Sequence, residues 1–189
     1  MALPGASAEN RIANMPICRI QYCQMATLTN INQTLDERDR HILSLVQRDA
    51  KLAQAEIARR IGLSTAAVNE RLRKLEAAGF VRRYVAVVDP KSVGASVTAF
   101  VEVFVEHPRY EAAFINQVLG IDEVQECHHI TGEFSLLLKI RVRDMESLQQ
   151  LLIHQLNALE GVRQTRTVIV LSTSKEESFV PTGVEGGTS

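Results

Sequence analysis

Residues 54–76 read QAEIARRIGLSTAAVNERLRKLE, and this stretch decides how the first part of the chain folds. Ile57, Ala58 and Ile61 share one face of a helix over 54–61. Gly62 ends it, because helices close readily on a left-handed residue and glycine takes that conformation without steric penalty. Ser64 supplies a side-chain oxygen for the free N–H groups that open a third helix. The apolar positions of that helix, Val68, Leu72 and Leu75, recur at i, i+4 and i+7, and Gly79 closes it. Two helices joined so tightly must cross at short range. Ala58 offers the small side chain for the crossing, Gly62 the unhindered turn, and Val68 the apolar group that docks back. This triple, at offsets of 4 and 6, predicts a helix-turn-helix. The alternative is a plain helical hairpin in a bundle.

The outer face of the third helix favours the first reading. It carries short hydroxyl, amide and cationic groups, which can reach base edges and phosphates in a DNA major groove. The start of such a helix enters the groove deepest. Ser64 and Thr65 lie there, and Thr65, Ala66 and Asn69 are the candidates for reading bases. An amide can bond adenine twice, and a small apolar group can touch a thymine methyl. Arg71, Arg73 and Lys74 are read as phosphate clamps, which add affinity and salt dependence but little sequence information; Arg71 alternatively reads a guanine. Arg82 and Arg83 either reach flanking phosphate or form a solvated pair.

Upstream, Leu35, Ile42, Leu43, Leu45 and Val46 predict a first helix over residues 35–49, with Thr34 and Glu37 as its capping box. Residues 34–83 hold 11 Lys and Arg against 7 Asp and Glu, net +4. Residues 84–189 hold 8 against 14, net −6. A basic segment on an acidic remainder suits a polyanionic partner for the first part alone. Residues 1–33 show no period and are expected to be disordered; Met25 offers a second possible start. Cys18, Cys23 and Cys127 make an odd set without a CxxC spacing, which fits free thiols in a reducing cytoplasm. No apolar run reaches the roughly 20 residues of a membrane span, so no membrane partner is expected.

Downstream, residues 80–88 read as an extended segment, and residues 84–95 as a linker strand and connection. Residues 96–173 then alternate strand, helix, strand, strand, helix, strand. Val97, Val101, Val103 and Val105 line one face of the first strand; Phe100 and Phe104 line the other. Tyr110, Phe114 and Val118 stripe a helix. After Thr131-Gly132, the residues Phe134, Leu136, Leu138, Ile140 and Val142 alternate with Ser135, Leu137, Lys139, Arg141 and Arg143. Asp144 caps a second helix that Gly161 ends. This βαββαβ order predicts a ferredoxin-like α+β fold with an antiparallel sheet and two helices on one face. Phe100, Phe104 and Leu137 on the other face call for a cover, and a second copy of the chain is the simplest one, giving at least a homodimer. Residues 174–189 are polar and glycine-rich and are expected to form a flexible tail.

These motifs together resemble the Lrp/AsnC transcriptional regulators. Residues 35–43 (LDERDRHIL), 56–64 (EIARRIGLS) and 68–81 (VNERLRKLEAAGFV) are similar to the DNA-binding half of that family. Residues 126–134 (ECHHITGEF) and 162–171 (VRQTRTVIVL) are similar to its effector half. The resemblance spans about residues 35–172. It implies a winged helix-turn-helix followed by an ACT-like effector domain, dimers that can build octamers, and an amino acid effector. It also implies an effector site at Thr131, Gly132, Glu133 and Ser135 with Thr165 and Thr167. A glycine turn can offer backbone N–H groups to a carboxylate, and an acid can hold an ammonium group. The family often has an acid where this chain has Ser135. Glu133 is then the substitute, or the effector differs, or none binds.

No catalytic constellation, cofactor motif or metal site is expected. His128 and His129 are neighbours on a strand and point to opposite faces, so with Cys127 they do not form a ligand set. The competing readings are an architectural DNA-binding protein with little ligand response, a ferredoxin-like enzyme with a helical accessory domain, and a metabolite-sensing module acting through proteins. The leading expectation is a sequence-specific transcriptional regulator that binds double-stranded DNA.

Overall fold

The computed structural model describes residues 34–184 and divides them into two compact units. One comprises residues 34–82 with 181–184; the other is Arg83–Val180. The expectation for residues 1–33, with Cys18 and Cys23, lies outside the described residues, as do residues 185–189.

The first unit holds three helices: α1 (Glu37–Arg48), α2 (Gln54–Ile61) and α3 (Thr65–Ala77). They pack on one apolar core in which Ile42, Ile57 and Val68 are almost fully buried. Helix α1 begins two residues later than its periodicity suggests. The capping box is Asp36 with Asp39, not Thr34 with Glu37: Asp36 Oδ1 accepts from the Asp39 N–H at 2.7 Å. A carboxylate caps at least as well as a hydroxyl, and Asp39 sits at the reciprocal position. Gly62 ends α2 in the left-handed region (φ 66°), its N–H bonding the Ala58 carbonyl. Ser64 caps α3 by accepting from the Ala67 N–H.

The second unit follows the expected order: β1 (Val97–Val105), α4 (Pro108–Val118), β2 (Val124–His129), β3 (Leu136–Val142), α5 (Met145–Gln150) and β4 (Val162–Ile169). Helix α5 continues as a π-helical stretch, Leu151–Leu156. The strands form an antiparallel sheet in the order β2-β3-β1-β4. Ala99, Val101, Val103, Leu136, Leu138 and Ile140 face α4 and α5 and are fully buried with Phe114, Leu148 and Leu156. The architecture is therefore a helix-turn-helix followed by a ferredoxin-like α+β domain.

Three further expectations change. Residues 82–88 take no regular secondary structure and join no sheet among the described residues, and Val87 is 91% exposed. Phe134 is buried but lies outside the core under the helices: β3 starts only at Leu136, and the Phe134 ring sits beneath the Arg166 guanidinium, 5.1 Å from its centroid. Gly132 (φ 125°) turns the chain just before it and breaks the alternation there. The polar tail is also not free along its whole length. Glu176 pairs with both Lys139 and Arg141 on the outer sheet face, each only 14% exposed. One acid matched to two cations outweighs a composition that otherwise favours disorder.

Gly161 shows how tightly the second unit is closed. Its φ is 86°, and a Cβ there would stand 2.5 Å from Tyr110 side-chain atoms. Gly161→Ala therefore combines backbone strain with overpacking, and urea unfolding should show a loss of roughly 2–4 kcal/mol.

Candidate functional site

The outer face of α3 is set by what its inner face spends. With 3.6 residues per turn, burying Val68, Leu72 and Leu75 turns Ala66, Glu70 and Arg73 outward, with Asn69 and Lys74 on the two flanks. Thr65, at the first turn, lies on the Asn69 side. The cap fixes the starting point, since Ser64 is held by its bond to Ala67. Its hydroxyl proton stays free to donate. Ser64, Thr65, Ala66, Asn69, Arg73 and Lys74 are all exposed, so one surface carries six of the seven expected residues.

Arg71 stands apart. It lies on the side of α3 turned to α1, is 31% exposed, and donates to Asp36 Oδ2 at 2.6 Å and Asp39 Oδ1 at 2.7 Å.

Glu70 is the residue that the sequence reading passed over. Arg73 grips its carboxylate with two bonds, of 2.9 and 3.1 Å, and Lys74 lies 3.5 Å away. The Arg73 hydrogen bonds, chiefly, hold the Glu70 carboxyl below its ordinary value. The i, i+3 and i, i+4 spacings were the available signal. A similar trio lies on α2, where Glu56 holds Arg59 and Arg60 and its carboxyl falls to about 2. Exposed pairs of this kind are weak and screened by salt.

In the second unit, the two expected effector stretches meet at Val103. The Ser135 N–H donates to the Val103 carbonyl at 3.1 Å, and Thr165 lies opposite Val103 in the β1–β4 register. Thr167 lies opposite Val101. Thr131, Gly132 and Glu133 form an exposed turn, and the Ile130 N–H bonds the Ser135 carbonyl at 3.0 Å to close it. Thr165 and Thr167 are half-buried, and the Thr165 hydroxyl donates to Asn157 Oδ1 at 3.2 Å. On the opposite face, Arg166 pairs with Glu102 above Phe134, and this pairing, with Glu133 nearby, raises the guanidinium pKa. Burial pushes the Cys127 thiol up, away from thiolate chemistry. Among the described residues, no three His, Cys, Asp or Glu side chains gather as metal ligands.

A helix-turn-helix with an outward polar face, joined to a ferredoxin-like domain, defines a DNA-binding regulator with a ligand-binding module. Residues 35–82 match the winged helix-turn-helix DNA-binding model, and residues 98–180 match the Lrp/AsnC ligand binding domain. The leucine-responsive regulatory protein of Klebsiella pneumoniae is 38% identical over 146 residues, covering 76% of this chain and 89% of that protein. Its Escherichia coli K12 counterpart gives the same figures. Among solved structures, a Neisseria meningitidis transcriptional regulator in complex with L-methionine has a TM-score of 0.77 at 31% identity, covering 79% of this chain and 98% of that one. The feast or famine regulatory protein of M. tuberculosis complexed with L-methionine has a TM-score of 0.73 at 33% identity, covering 78% and 99%. The chain belongs to the Lrp/AsnC family of transcriptional regulators.

Glu70 screens the two cations beside it and would face a phosphate backbone. Glu70→Gln should tighten binding to random duplex roughly two- to fivefold, the scale of an exposed ion pair. A fluorescence-anisotropy titration checks this; unchanged or weaker binding would show that the acid does not oppose DNA.

Proposed function

We propose that α3 enters a DNA major groove, with Ala66 and Asn69 reading base edges and Arg73 and Lys74 holding phosphates. The observation that carries this reading is the single exposed face on which these four residues lie, with Ser64 and Thr65 at its leading end. Ser64 and the first turn of α3 supply short donors to a phosphate, and the positive end of the helix favours an anion there. The half-buried Phe100, Phe104 and Leu137 on the outer sheet face support assembly through a second copy, so that two α3 helices meet two half-sites. Association beyond the dimer, up to an octamer, is consistent with the family. The regulator works in the cytoplasm, and no helix among the described residues is long and apolar enough to cross a membrane.

Asn69→Ala should then remove about 1–3 kcal/mol of discrimination between a selected operator and random duplex. Arg73→Ala should instead weaken all sequences alike and lower the salt slope by about one. Binding-site selection followed by titration separates the two effects. Equal losses on both duplexes for Asn69→Ala would remove it from the reading set, and a wild-type chain that ranks no sequence above another would favour an architectural role.

We further propose that the second domain answers an amino acid held at Thr131, Gly132, Glu133 and Ser135 with Thr165 and Thr167. The two similar structures solved with L-methionine support this; within one chain the two stretches flank β1 at Val103, the threonines toward the helices and Glu133 toward Arg166 on the outer face. Glu133 stands in for the missing acid at Ser135. Thermal-shift screening of the L-amino acids should give at least one stabilising ligand, worth about 2.7 kcal/mol at a hundred times its Kd. Glu133→Gln should abolish that shift, and a screen with no shift would end the assignment.

A further inference from the structure

Two contacts reach from the first turn of α1 to the other two helices. Arg38 Nη1 donates to the Ile61 carbonyl at 2.6 Å and lies 3.4 Å from that of Gly62, so a guanidinium closes the C-terminal end of α2 at the turn. Asp36 and Asp39 hold Arg71 from the middle of α3. These two carboxylates are not loose surface groups. They are the two halves of the α1 capping box, so the end of the helix itself fixes their position. Asp39 is 18% exposed and Arg71 31% exposed, which removes part of the solvent screening that weakens the Arg73–Glu70 pair at 70% and 48%.

We propose that Arg71 is a positioning residue and not a DNA ligand: tied to Asp36 and Asp39, it sets the angle at which α3 presents Ala66 and Asn69. This rests on the reading that α3 binds DNA. Leaving the site would strip Arg71 of two charge-assisted bonds and set two carboxylates against each other unneutralised. Arg73 and Lys74 face a smaller barrier, since they share the single, more exposed acid Glu70. The Arg71 anchor lies about half a turn beyond Asn69 and about one and a half turns beyond Ala66. A bidentate amide–adenine contact tolerates little tilt, whereas phosphate contacts are long-range and forgiving. Loosening the anchor therefore damages sequence discrimination and spares the electrostatic part of binding.

The test uses the full chain, with affinity for a selected operator and for random duplex measured across a salt series. The variants are Arg71→Met, Asp39→Asn, their combination, and Arg71→Lys. The inference expects Arg71→Met to lower the operator-to-random ratio about tenfold, with the salt slope unchanged. Asp39→Asn should lower the ratio similarly, although it removes a negative charge, and the double variant should be no worse than Arg71→Met. A shallower slope with equal losses on both duplexes identifies a phosphate clamp and overturns the proposal. Tighter binding of both duplexes by Asp39→Asn does the same. A partly unfolded variant loses both affinities together and leaves the ratio intact, so the ratio separates positioning from stability. Should Arg71→Met not fold, Arg71→Lys serves: it keeps the charge but bridges two carboxylates poorly, so a clamp preserves the ratio and a positioning residue does not. The wild-type ratio, measured first, tests the DNA-binding reading on its own.

Discussion

The close packing of α2 against α3 at Ala58 and Val68, across the Gly62 turn, is the constraint on which the DNA-binding half depends. It buries Val68, Leu72 and Leu75, and through the helical period it settles which side chains of α3 meet solvent. A larger group at Ala58 would hold the helices apart, and a β-carbon at Gly62 would have to adopt φ 66°. The outer face of α3 is thus a by-product of its inner one. Side chains on α1 then steady the arrangement from outside, at the end of α2 and the middle of α3.

The second unit rests on a different constraint, the alternation of its central strands. Every second residue of β1 and β3 is buried against α4 and α5, so the residues between them must face outward. Among these are half-buried aromatics together with charges that are paired across strands, Glu102 with Arg166 and Lys139 with Glu126. A surface of this mixed kind suits a contact that is specific as well as apolar.

Local pattern explains what could be read in advance. The Gly62 turn, the Ser64 cap, the inner stripe of α3 and the βαββαβ order all follow from spacings within a few residues, and the structure repeats them. What escaped was either a matter of competition or non-local. Asp36 outdid Thr34 as a cap because two acids were available at the right separation. Phe134 kept its place in the alternation on paper, but the Gly132 turn delivers it to the opposite face. Arg71 looks identical in sequence to Arg73, yet partners 32 and 35 residues away claim it. Glu176 is bonded to cations 35 and 37 residues away, which no window of the tail could foretell. Of the candidate site, the exposed set on α3 was legible because a helix period governs it. The meeting of Ser135 and Thr165 at Val103 was carried by family likeness and needs the sheet register to be seen.

The carboxylate of Glu70 gives α3 its own counterion. A genome offers a regulator vastly more wrong sites than right ones, and generic attraction to the backbone would strand it on the wrong ones. On the proposed reading, a built-in anion that the backbone must dislodge would make each casual encounter shallower, while an operator that also engages Asn69 would offset the exchange. Such a helix would be tuned for brief stays during the search and long ones at the end of it.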